Sequence, residues 1–514
     1  MRGAPLFVAI VAGLTICVGT AVAGGPGGRH YRGAHFSAGV AAASQQGQGG
    51  RPGQHGHQGG GGGNSQQGEL VRVSDDAASA SPVIPPDPFG GFLYLNSEVE
   101  PSLAVSASDR RRQVGFYQED RWDNGGSRSL VFATTRDGGQ TWVDQPVPGI
   151  SLTFGGTYER ITDPWVAFGP GNRVYGFSLA FDQNTPRNAL FVNTSRDGGL
   201  TWGPPVPVQV DTDIAFFNDK NAIAADDFAG SRNRGNVYTA WDRLASLDPT
   251  GTHFTGPALF SRSVDGGAHF STPIELFHTG VDEQTIGNVP VVLPDGTVVV
   301  GGTFIDAVNN FFFWVARSSD GGATFSPPQI VDTEQVFVIP DIRDGSLVPS
   351  FAVDRRTGRL YATWEDSRFS GGVRMDVLVT WSDDAGRTWS TPVRANDTPR
   401  NAQSAIAPAI QVDDQGRVGV LYYDLRGDAA PGDAQFLTTE WFALSTDRGR
   451  HFHESERVTP TFDQANAPNA GGFFLGDYQA LGSVGDGFQA FFAAALLPQA
   501  DGLIGTDIFS ARVP

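Results

Sequence analysis

The sequence is poor in cysteine, methionine and positive charge. One cysteine, Cys17, and two methionines occur in 514 residues. Because Cys17 lies in an apolar segment ahead of a predicted cleavage site, the mature chain would contain no cysteine, which excludes disulfides, a thiol nucleophile and thiolate metal sites. Acidic residues outnumber basic ones by 55 to 36, for a formal net charge of −19. Nucleic acid is therefore not expected as a partner, since its phosphates would be repelled.

Long hydrophobic runs are also absent, apart from one near the N-terminus. Arg2 precedes the mostly apolar segment 5–18 and the small-residue site Ala21-Val22-Ala23, which together predict a secretory signal peptide over residues 1–23. The apolar run is too short to span a bilayer comfortably. We expect a secreted protein, extracellular or periplasmic, without a membrane span. A lipid anchor at Cys17 is the alternative, although Ile16 is bulkier than the residue usual before such a cysteine.

Residues 24–67 are of low complexity, with glycine, glutamine and histidine dominating the composition. Such a segment has too little apolar surface to offset the entropy lost on ordering, so we interpret it as a disordered linker. Residues 68–514 are then the single folded domain.

What the sequence does contain is glycine, proline and short apolar runs in a repeating order. Its 67 glycines and 33 prolines favour a turn-rich β protein. After about Leu70, runs of five to eight β-branched and aromatic residues alternate with clusters of Gly, Asp, Asn and Pro, the pattern of β-strands. The runs come in fours, which predicts an all-β fold of four-stranded antiparallel meanders.

Seven such meanders are expected, with first strands beginning near Glu100, Asp163, Asp219, Asn288, Pro349, Pro408 and Asp477. Repetition at this period is typical of a β-propeller. We favour seven blades, with six as the alternative if one unit is an insert. The last unit lacks a fourth strand; 70-LVRVS-74 could supply it, closing the ring and hiding the sheet edges.

An eight-residue turn recurs six times between the third and fourth strands: TRDGGQTW, SRDGGLTW, SVDGGAHF, SSDGGATF, SDDAGRTW and STDRGRHF. Its Asp can accept hydrogen bonds from its own loop, the Gly at its fifth position permits positive φ, and its closing Trp or Phe can be buried. All of these features serve to fold a hairpin. We therefore assign a structural role to the six aspartates, which are Asp137, Asp197, Asp265, Asp320, Asp384 and Asp447.

The turn resembles the Asp-box, or BNR, repeat of the sialidase superfamily, over about residues 100–452. The resemblance implies a propeller fold and glycan chemistry, although Asp-box propellers also occur in xyloglucanases, sortilin-type receptors and photosystem assembly factors. A sialidase needs three arginines for the substrate carboxylate, a tyrosine nucleophile primed by a glutamate, and an aspartate acid/base. The chain departs from the family in its Arg-Ile-Pro signature: the nearest text, Arg160-Ile161-Thr162, precedes the second unit and lacks the proline.

The face where the first strands begin, here called the upper face, is the predicted functional face, because all six turns lie on the opposite side. Second strands end there in the motifs YQEDR, WDR, WEDSR and YYDLR. Paired carboxylates suit acid/base work at a glycosidic bond, and arginine forks suit carboxylates or sulfates. Because the motif recurs, an alternative is that each Asp closes its own turn and pairs with an arginine of an adjacent blade.

The upper face supplies two sets of candidate site residues. The catalytic candidates are Glu100, Asp120, Asp163, Asp477 and Tyr478, with Tyr423 as an alternative nucleophile. The substrate-binding candidates are Arg121, Arg243, Arg368, Arg426, Asp219 and Lys220.

We expect a sialidase-like glycoside hydrolase acting as a monomer on extracellular, anionic glycans. One alternative is a non-catalytic module that binds a glycan or a protein on the same face. Another is a polysaccharide lyase with Tyr478 or Lys220 as the base. No zinc spacing, nucleophile elbow or phosphate loop occurs, so no metal or cofactor is expected; calcium among the Asp-rich loops stays open, although no EF-hand-type loop supports it.

Overall fold

Strands make up almost all of the regular structure. The computed structural model describes residues 69–75, 87, 89–400, 403–428, 435–497 and 505–514. The predicted signal peptide and linker lie outside these residues. Within them, the helical segments are three short 3₁₀ turns, at Leu152–Phe154, Pro170–Asn172 and Gln464–Asn466. The all-β class predicted from the alternating apolar runs is confirmed.

Two short strands come first, β1 (Val71–Arg72) and β2 (Leu93–Tyr94). Unit 1 consists of β3 (Val99–Val105), β4 (Gln113–Trp122), β5 (Ser127–Thr135) and β6 (Val143–Pro146). Unit 2 consists of β7 (Arg160–Phe168), β8 (Val174–Phe181), β9 (Asn188–Ser195) and β10 (Val206–Asp211). Unit 3 consists of β11 (Phe216–Ala225), β12 (Val237–Ser246), β14 (Ala258–Ser263) and β15 (Ile274–Phe277), with β13 (Phe254–Gly256) inserted.

Unit 4 consists of β16 (Glu283–Val292), β17 (Val298–Ile305), β18 (Phe311–Ser318) and β19 (Gln329–Glu334). After β20 (Ile342–Arg343), unit 5 consists of β21 (Ser350–Val353), β22 (Leu360–Asp366), β23 (Asp376–Ser382) and β24 (Val393–Arg394). Unit 6 consists of β25 (Ala405–Val412), β26 (Val418–Asp424), β27 (Leu437–Ser445) and β28 (Glu456–Arg457). After β29 (Phe462–Asp463) and β30 (Phe473–Phe474), unit 7 has β31 (Ala480–Ser483), β32 (Phe488–Ala494) and β33 (Asp507–Val513).

Each unit is an antiparallel meander whose strands pair in chain order. Unit 7 is completed by β1, which pairs antiparallel with β33 through Val71 and Ser510, as the sequence predicts for the segment 70–74. Five first strands begin away from their predicted positions. β16 begins at Glu283, well before Asn288, because its pairing with β17 already includes Gln284 opposite Ile305. The other four begin at Arg160 (β7), Phe216 (β11), Ala405 (β25) and Ala480 (β31).

The apolar cores lie between neighbouring units. Phe177 and Leu190 of unit 2, for example, pack in one cluster with Val237 and Trp241 of unit 3. The aromatic residue that closes an eight-residue turn packs against the preceding unit: Trp202 stacks on Phe132 with ring centroids 3.5 Å apart. Burial of such rings supplies much of the apolar area that holds successive units together.

The aspartate of each eight-residue turn accepts hydrogen bonds within its own loop. In the second turn, Asp197 accepts from the backbone N–H groups of Leu200 and Thr201 at 3.1 and 3.0 Å and from the Thr201 hydroxyl at 2.6 Å. Although partial burial opposes ionisation, these bonds lower the pKa of Asp197. Gly199 has φ +94° and lies so close to Val114 that a Cβ would stand 2.6 Å from its side chain. The turn is thus fully engaged in folding.

Unit 1 also packs against unit 7, since the Trp142 ring lies 5.4 Å from the Phe491 ring. A cavity of about 260 Å³ is lined by residues from the first strands of all seven units, among them Ala104, Phe168, Val292, Val353 and Ser483. The first strands therefore surround a common space, and the site described next lies where they begin.

Candidate functional site

A β-bulge near the start of five first strands sets the geometry of the site. In β3, β7, β11, β16 and β25 two residues stand opposite one residue of the second strand. One bulge residue has positive φ in each case: Glu100 (55°), Asp163 (52°), Lys220 (45°), Gly287 (65°) and Ala407 (48°). Bulges re-aim side chains, often beside active sites. Three successive units thereby present charged side chains from the same structural position.

Lys220 joins these side chains and is the only lysine in the sequence. Its ammonium group bonds Asp477 and lies 3.5 Å from Oε1 of Glu100 and 3.8 Å from Oδ1 of Asp163. Its backbone N–H donates to Oδ2 of Asp163 and to Oδ1 of Asp219, both at 3.0 Å. All of these groups are buried. A buried charge is tolerated only when paired, so Lys220 stabilises an otherwise repulsive group of carboxylates.

Arg343, which the sequence analysis did not select, is the second cation at Asp477. Its Nε and Nη2 donate to the two carboxylate oxygens of Asp477 at 3.0 and 2.6 Å, and its Nη1 donates to the Ala470 carbonyl at 3.2 Å. Arg343 lies in β20, which pairs in parallel with β30 and so joins two long connections between units. Its guanidinium stands 4.2 Å from the Phe474 ring.

Arg121 also lies near Phe474, with its guanidinium group 5.2 Å from the centroid of that ring. Its Nη1 donates to the Gly126 carbonyl at 2.7 Å and to Oε1 of Gln118 at 3.3 Å. Burial and the nearby Arg343 lower the pKa of Arg121 to about 10. Of the four arginines predicted to bind substrate, Arg121 is the one that the structure places beside Glu100.

Glu100 holds a proton at neutral pH. Burial raises its pKa to about 8, against the opposing attraction of Lys220. Its carboxyl group accepts a hydrogen bond from Nε2 of Gln118, which also donates to the Thr162 hydroxyl at 3.0 Å. The Thr162 hydroxyl in turn donates to Oδ1 of Asp163 at 3.0 Å. The carboxyl group of Glu100 is therefore fixed in orientation by a chain of hydrogen bonds through Gln118, Thr162 and Asp163.

Asp477 is ionised at neutral pH. Although burial opposes its charge, Arg343 and Lys220 hold its pKa below the ordinary value. Two further acids near Glu100 and Asp477 have raised pKa values. Burial and Asp163 raise the pKa of Asp219 to about 7, and burial and Asp219 raise the pKa of Asp242. Environments that push the pKa values of neighbouring carboxyl groups apart are typical of acid/base catalysis.

The predicted nucleophile Tyr478 lies at the site but is engaged. Its hydroxyl donates to the Pro164 carbonyl at 3.1 Å, and its ring packs 5.0 Å from that of Trp165. Burial and the nearby Glu100 raise its pKa well above the ordinary value. The alternative Tyr423 is buried in unit 6, where its hydroxyl donates to the Ala493 carbonyl at 2.8 Å. Neither phenol is close to forming the phenolate that a tyrosine nucleophile requires.

Asp120 does not join the Lys220 cluster. It forms an ion pair with Arg128 and accepts a hydrogen bond from the Asn96 backbone at 2.8 Å. Like Glu100 it has positive φ, 60°. It fixes the chain that leads into the first unit.

The structure does not bring Arg243, Arg368 and Arg426 to the cluster, contrary to their prediction as substrate-binding residues. Each bonds an aspartate of the preceding unit instead: Asp211, Asp332 and Asp397, respectively. Arg368 and Arg426 also bond Asp366 and Asp424 of their own strands, both at 2.7 Å. The arginines thus join adjacent units, as in the alternative interpretation, but through aspartates outside the motif, whereas Asp366 and Asp424 pair with the arginine of their own motif. Bidentate pairing leaves these guanidinium groups without the open fork that a carboxylate ligand needs.

In addition to Arg343, three residues were not predicted from the sequence: Gln118, Asp344 and Glu365. Burial raises the pKa of Asp344 to about 6 and that of Glu365 well above its ordinary value. Glu365 accepts a hydrogen bond from the Ala407 backbone at 2.6 Å. Gln118 and Glu365 lie in second strands whose motifs gave no sign of their partners. The centre of the site itself was among the predicted candidates, namely Glu100, Asp163 and Asp477 together with Asp219 and Lys220.

Among the described residues, no group of three or more His, Cys, Asp or Glu side chains is arranged to hold a metal ion. In the same part of the chain, no helix has the length and apolar character to cross a membrane.

No protein-family model matches the chain. No curated protein matches it either. The solved structures to which it is similar include Hadza microbial sialidase Hz136, at 15% identity and a TM-score of 0.43 over 87% of this chain and 95% of that one. A Trypanosoma rangeli sialidase in complex with 2,3-difluorosialic acid is 14% identical, with a TM-score of 0.42 over 86% of this chain and 58% of that one. A Penicillium chrysogenum α-L-arabinanase complexed with arabinobiose is 10% identical, with a TM-score of 0.42 over 87% and 98%.

Proposed function

We propose that the chain is an exported, seven-bladed β-propeller that hydrolyses glycosidic bonds at its upper face. Three observations support the propeller: the seven meanders, the contact of Trp142 with Phe491 that joins the first unit to the last, and the cavity shared by seven first strands. In a propeller such strands surround the central axis. The signal-peptide pattern of residues 1–23 supports export.

The observation that carries the enzymatic proposal is the pairing of Glu100 with Asp477 across Lys220. Both carboxyl groups contact one ammonium nitrogen, yet burial leaves Glu100 protonated with a pKa of about 8, while Arg343 and Lys220 outweigh burial and keep Asp477 ionised. A neutral acid beside an ionised carboxylate is the combination that glycoside hydrolysis requires.

The short separation of the two carboxyl groups favours a retaining mechanism. Because one oxygen of each contacts the same nitrogen, the two carboxyl groups are near neighbours, which suits the about 5–5.5 Å spacing of retaining enzymes. In this mechanism Glu100 protonates the leaving oxygen while an Asp477 oxygen bonds to the anomeric carbon. Water then hydrolyses the glycosyl–enzyme ester, giving its proton back to Glu100 and releasing Asp477.

The choice of residue at the bulge supports a functional origin for the cluster. Glu100, Asp163 and Lys220 all adopt the left-handed conformation, which costs a non-glycine residue about 1–2 kcal/mol. The conformation itself belongs to the bulge, since Ala407 adopts it in unit 6, but the charged side chains do not. Glycine stands at the equivalent position of unit 4, Gly287, so the fold itself does not demand a charged residue there.

A polysaccharide lyase fits the site less well. Its candidate bases were Lys220 and Tyr478, and both hold their protons at neutral pH: nearby acidic groups, Asp163 and Asp477 foremost, outweigh burial and raise the pKa of Lys220, and burial raises that of Tyr478. A lyase base must be able to accept a proton from the sugar.

A binding module without catalysis is the second candidate, and one observation favours it. Asp477 is already engaged by both Lys220 and Arg343, and its side chain is only 5% exposed. A substrate must therefore displace one of these contacts before Asp477 can react, whereas binding alone needs no such change.

The test is hydrolysis of a panel of fluorogenic neutral and anionic glycosides by the full chain and two variants. Glu100→Gln should lose at least about 100-fold in kcat, because general acid catalysis typically contributes about 10²–10⁴-fold. Glu334→Gln is the matched control, because burial raises the pKa of Glu334 to the same value, about 8, at a position where it bonds Thr303 instead of Lys220. Equal activity of both variants, or retention of a glycan without any turnover, would favour the binding module.

A further inference from the structure

A groove of about 340 Å³ lies on the side of the molecule between units 4 and 5. We call it the side groove; its lining includes Val331, Asp332, Trp364, Arg368, Trp389 and Thr391. Its size falls in the range of small-ligand sites, about 300–1,000 Å³. It is separate from the Lys220 cluster and plays no part in the proposed hydrolysis.

The side groove occurs where one of three similar arginines lacks a stacked ring. The guanidinium of Arg426 stands 3.9 Å from the centroid of the Trp441 ring, and that of Arg243 stands 3.8 Å from the centroid of Phe216. The ring nearest Arg368 among the described residues is that of Trp364, 6.0 Å away. Two of the three sites are thus filled by an aromatic side chain from within the chain, and the third is open.

Strand register explains the opening. In unit 6, Trp441 lies opposite Tyr422 and Arg457. In unit 5 the corresponding position, opposite Trp364 and Arg394, is Leu378. Leucine is much smaller than tryptophan, so this position supplies no ring to the face of Arg368, beside which the side groove lies.

The hydrogen bonds of Arg368 determine what can fill that space. Its Nε donates to Asp366 at 2.9 Å, its Nη1 to Asp332 at 2.7 Å, and its Nη2 to Asp366 and the Thr333 carbonyl. With these donors engaged, the group offers its flat face, which favours an aromatic ring over an anion. The rings on Arg243 and Arg426 are two examples of this contact within the same molecule.

The edge of β19 points to a polypeptide as the source of the ring. This six-residue strand supplies Gln329, Val331 and Asp332 to the side groove. It is the outermost strand of unit 4, and within the described residues it pairs only with β18; because its Thr333 carbonyl accepts from Arg368, a peptide would pair along the part of the strand before Thr333. An exposed strand edge beside a side-chain pocket is the arrangement used in recognition by strand addition. We propose that the side groove binds an aromatic side chain of an extended polypeptide that lies along β19.

The test uses the full chain and three probes: an acetylated, amidated pentapeptide of threonine and valine with a central tryptophan, the same peptide with a central leucine, and phenyl β-glucoside. Calorimetry should show one binding site for the tryptophan peptide and at least tenfold weaker binding of the other two. Equal affinities of the two peptides would overturn the proposal. Preference for phenyl β-glucoside would also overturn it, because the ring would then come from a small molecule.

Two pairs of variants place the binding in the side groove. Thr391→Arg puts a long side chain at the exposed rim and should weaken binding at least tenfold; Thr272→Arg makes the same change at the equivalent exposed position of unit 3 and should leave it unchanged. Leu378→Trp should fill the groove as Trp441 does in unit 6, with Leu259→Trp as its counterpart opposite Trp241 in unit 3. Unchanged affinity in folded Thr391→Arg would contradict the proposal, whether or not the buried variants fold.

Discussion

The Lys220 ammonium bonds the carboxylate of Asp477, which lies 257 positions later in the chain. This contact joins the first strand of unit 3 to the connection that enters unit 7, across the space that the first strands surround. It also affects the charge state of the site, because the same nitrogen lies 3.5 Å from Glu100, whose pKa burial raises against the attraction of Lys220. The following predictions depend on this relationship.

Replacing Lys220 should destabilise the whole domain. Lys220→Met leaves Glu100, Asp163 and Asp477 buried with one fewer cation, and breaking a buried ion pair typically costs about 3–5 kcal/mol. Urea unfolding followed by circular dichroism would measure the loss. The control is Arg512→Met, which removes an exposed pair with Asp486 and should cost less than about 1 kcal/mol. Similar losses in the two variants would show that the cluster is not a tightly coupled ionic site.

Stability should fall as pH rises from about 5 to 8. Burial raises the pKa of Asp344 to about 6, of Asp219 to about 7 and of Glu100 to about 8. Since the folded state binds these protons more tightly than the unfolded state, their stabilising contribution is complete below the unfolded pKa and is lost through the folded pKa. Asp477 acts in the opposite sense, because folding lowers its pKa. Its ionised carboxylate stabilises the folded state at neutral pH, and this contribution is lost only as the pH falls below the unfolded pKa near 4.

Thermal unfolding between pH 4 and 9 measures this dependence. The midpoint should be highest in mildly acidic buffer, and Glu100→Gln should flatten the decline between pH 5 and 8, because glutamine does not titrate. A wild-type midpoint that rises steadily to pH 8 would mean that the carboxyl groups of the cluster are ionised in the folded state.

The repeating parts of this structure could be predicted from the sequence, and the site could be predicted only in part. Strand order and the six turns follow from local patterns, which each unit repeats. The identity of the bulge residue does not: the sequence pattern places Asp219 level with Glu100 and Asp163 near the start of its strand, whereas Lys220 occupies that position in the structure, because a shift of one residue in register cannot be read from alternation alone. Arg343 could not be found, since it lies in a long connection and meets Asp477 only through the pairing of β20 with β30.

Arg426 should matter for stability and not for catalysis. Arg426→Met leaves Asp424 fully buried and without its ion pair, so we expect a loss of about 2–4 kcal/mol. The kcat/KM of the folded variant should change less than about threefold, because the side chain lies between units 5 and 6. A loss of about 100-fold or more at unchanged stability would restore Arg426 as a substrate ligand. Steady-state kinetics and urea unfolding on the same preparation separate the two results.

The aspartates of the eight-residue turns should act only on folding. Asp197→Ala removes the acceptor of two backbone N–H groups and of the Thr201 hydroxyl, all in a partly exposed loop, which should cost about 1–3 kcal/mol. Asp197→Asn keeps one side-chain acceptor and should recover part of the loss. Hydrogen exchange at the amides of Leu200 and Thr201 should speed up in the alanine variant. Unchanged exchange there would show that the turn is held by its other contacts.

The protonation states of Glu100 and Asp477 are the centre of this account, and carbon-13 NMR of side-chain carboxyl groups measures them directly. Protein labelled at glutamate Cδ and aspartate Cγ would be titrated from pH 4 to 9, with Glu100→Gln and Asp477→Asn preparations assigning the two resonances. The account predicts that the Glu100 resonance titrates with a midpoint near 8, while that of Asp477 stays ionised throughout. Ionisation of Glu100 below pH 5, or a protonated Asp477 at pH 6, would contradict it.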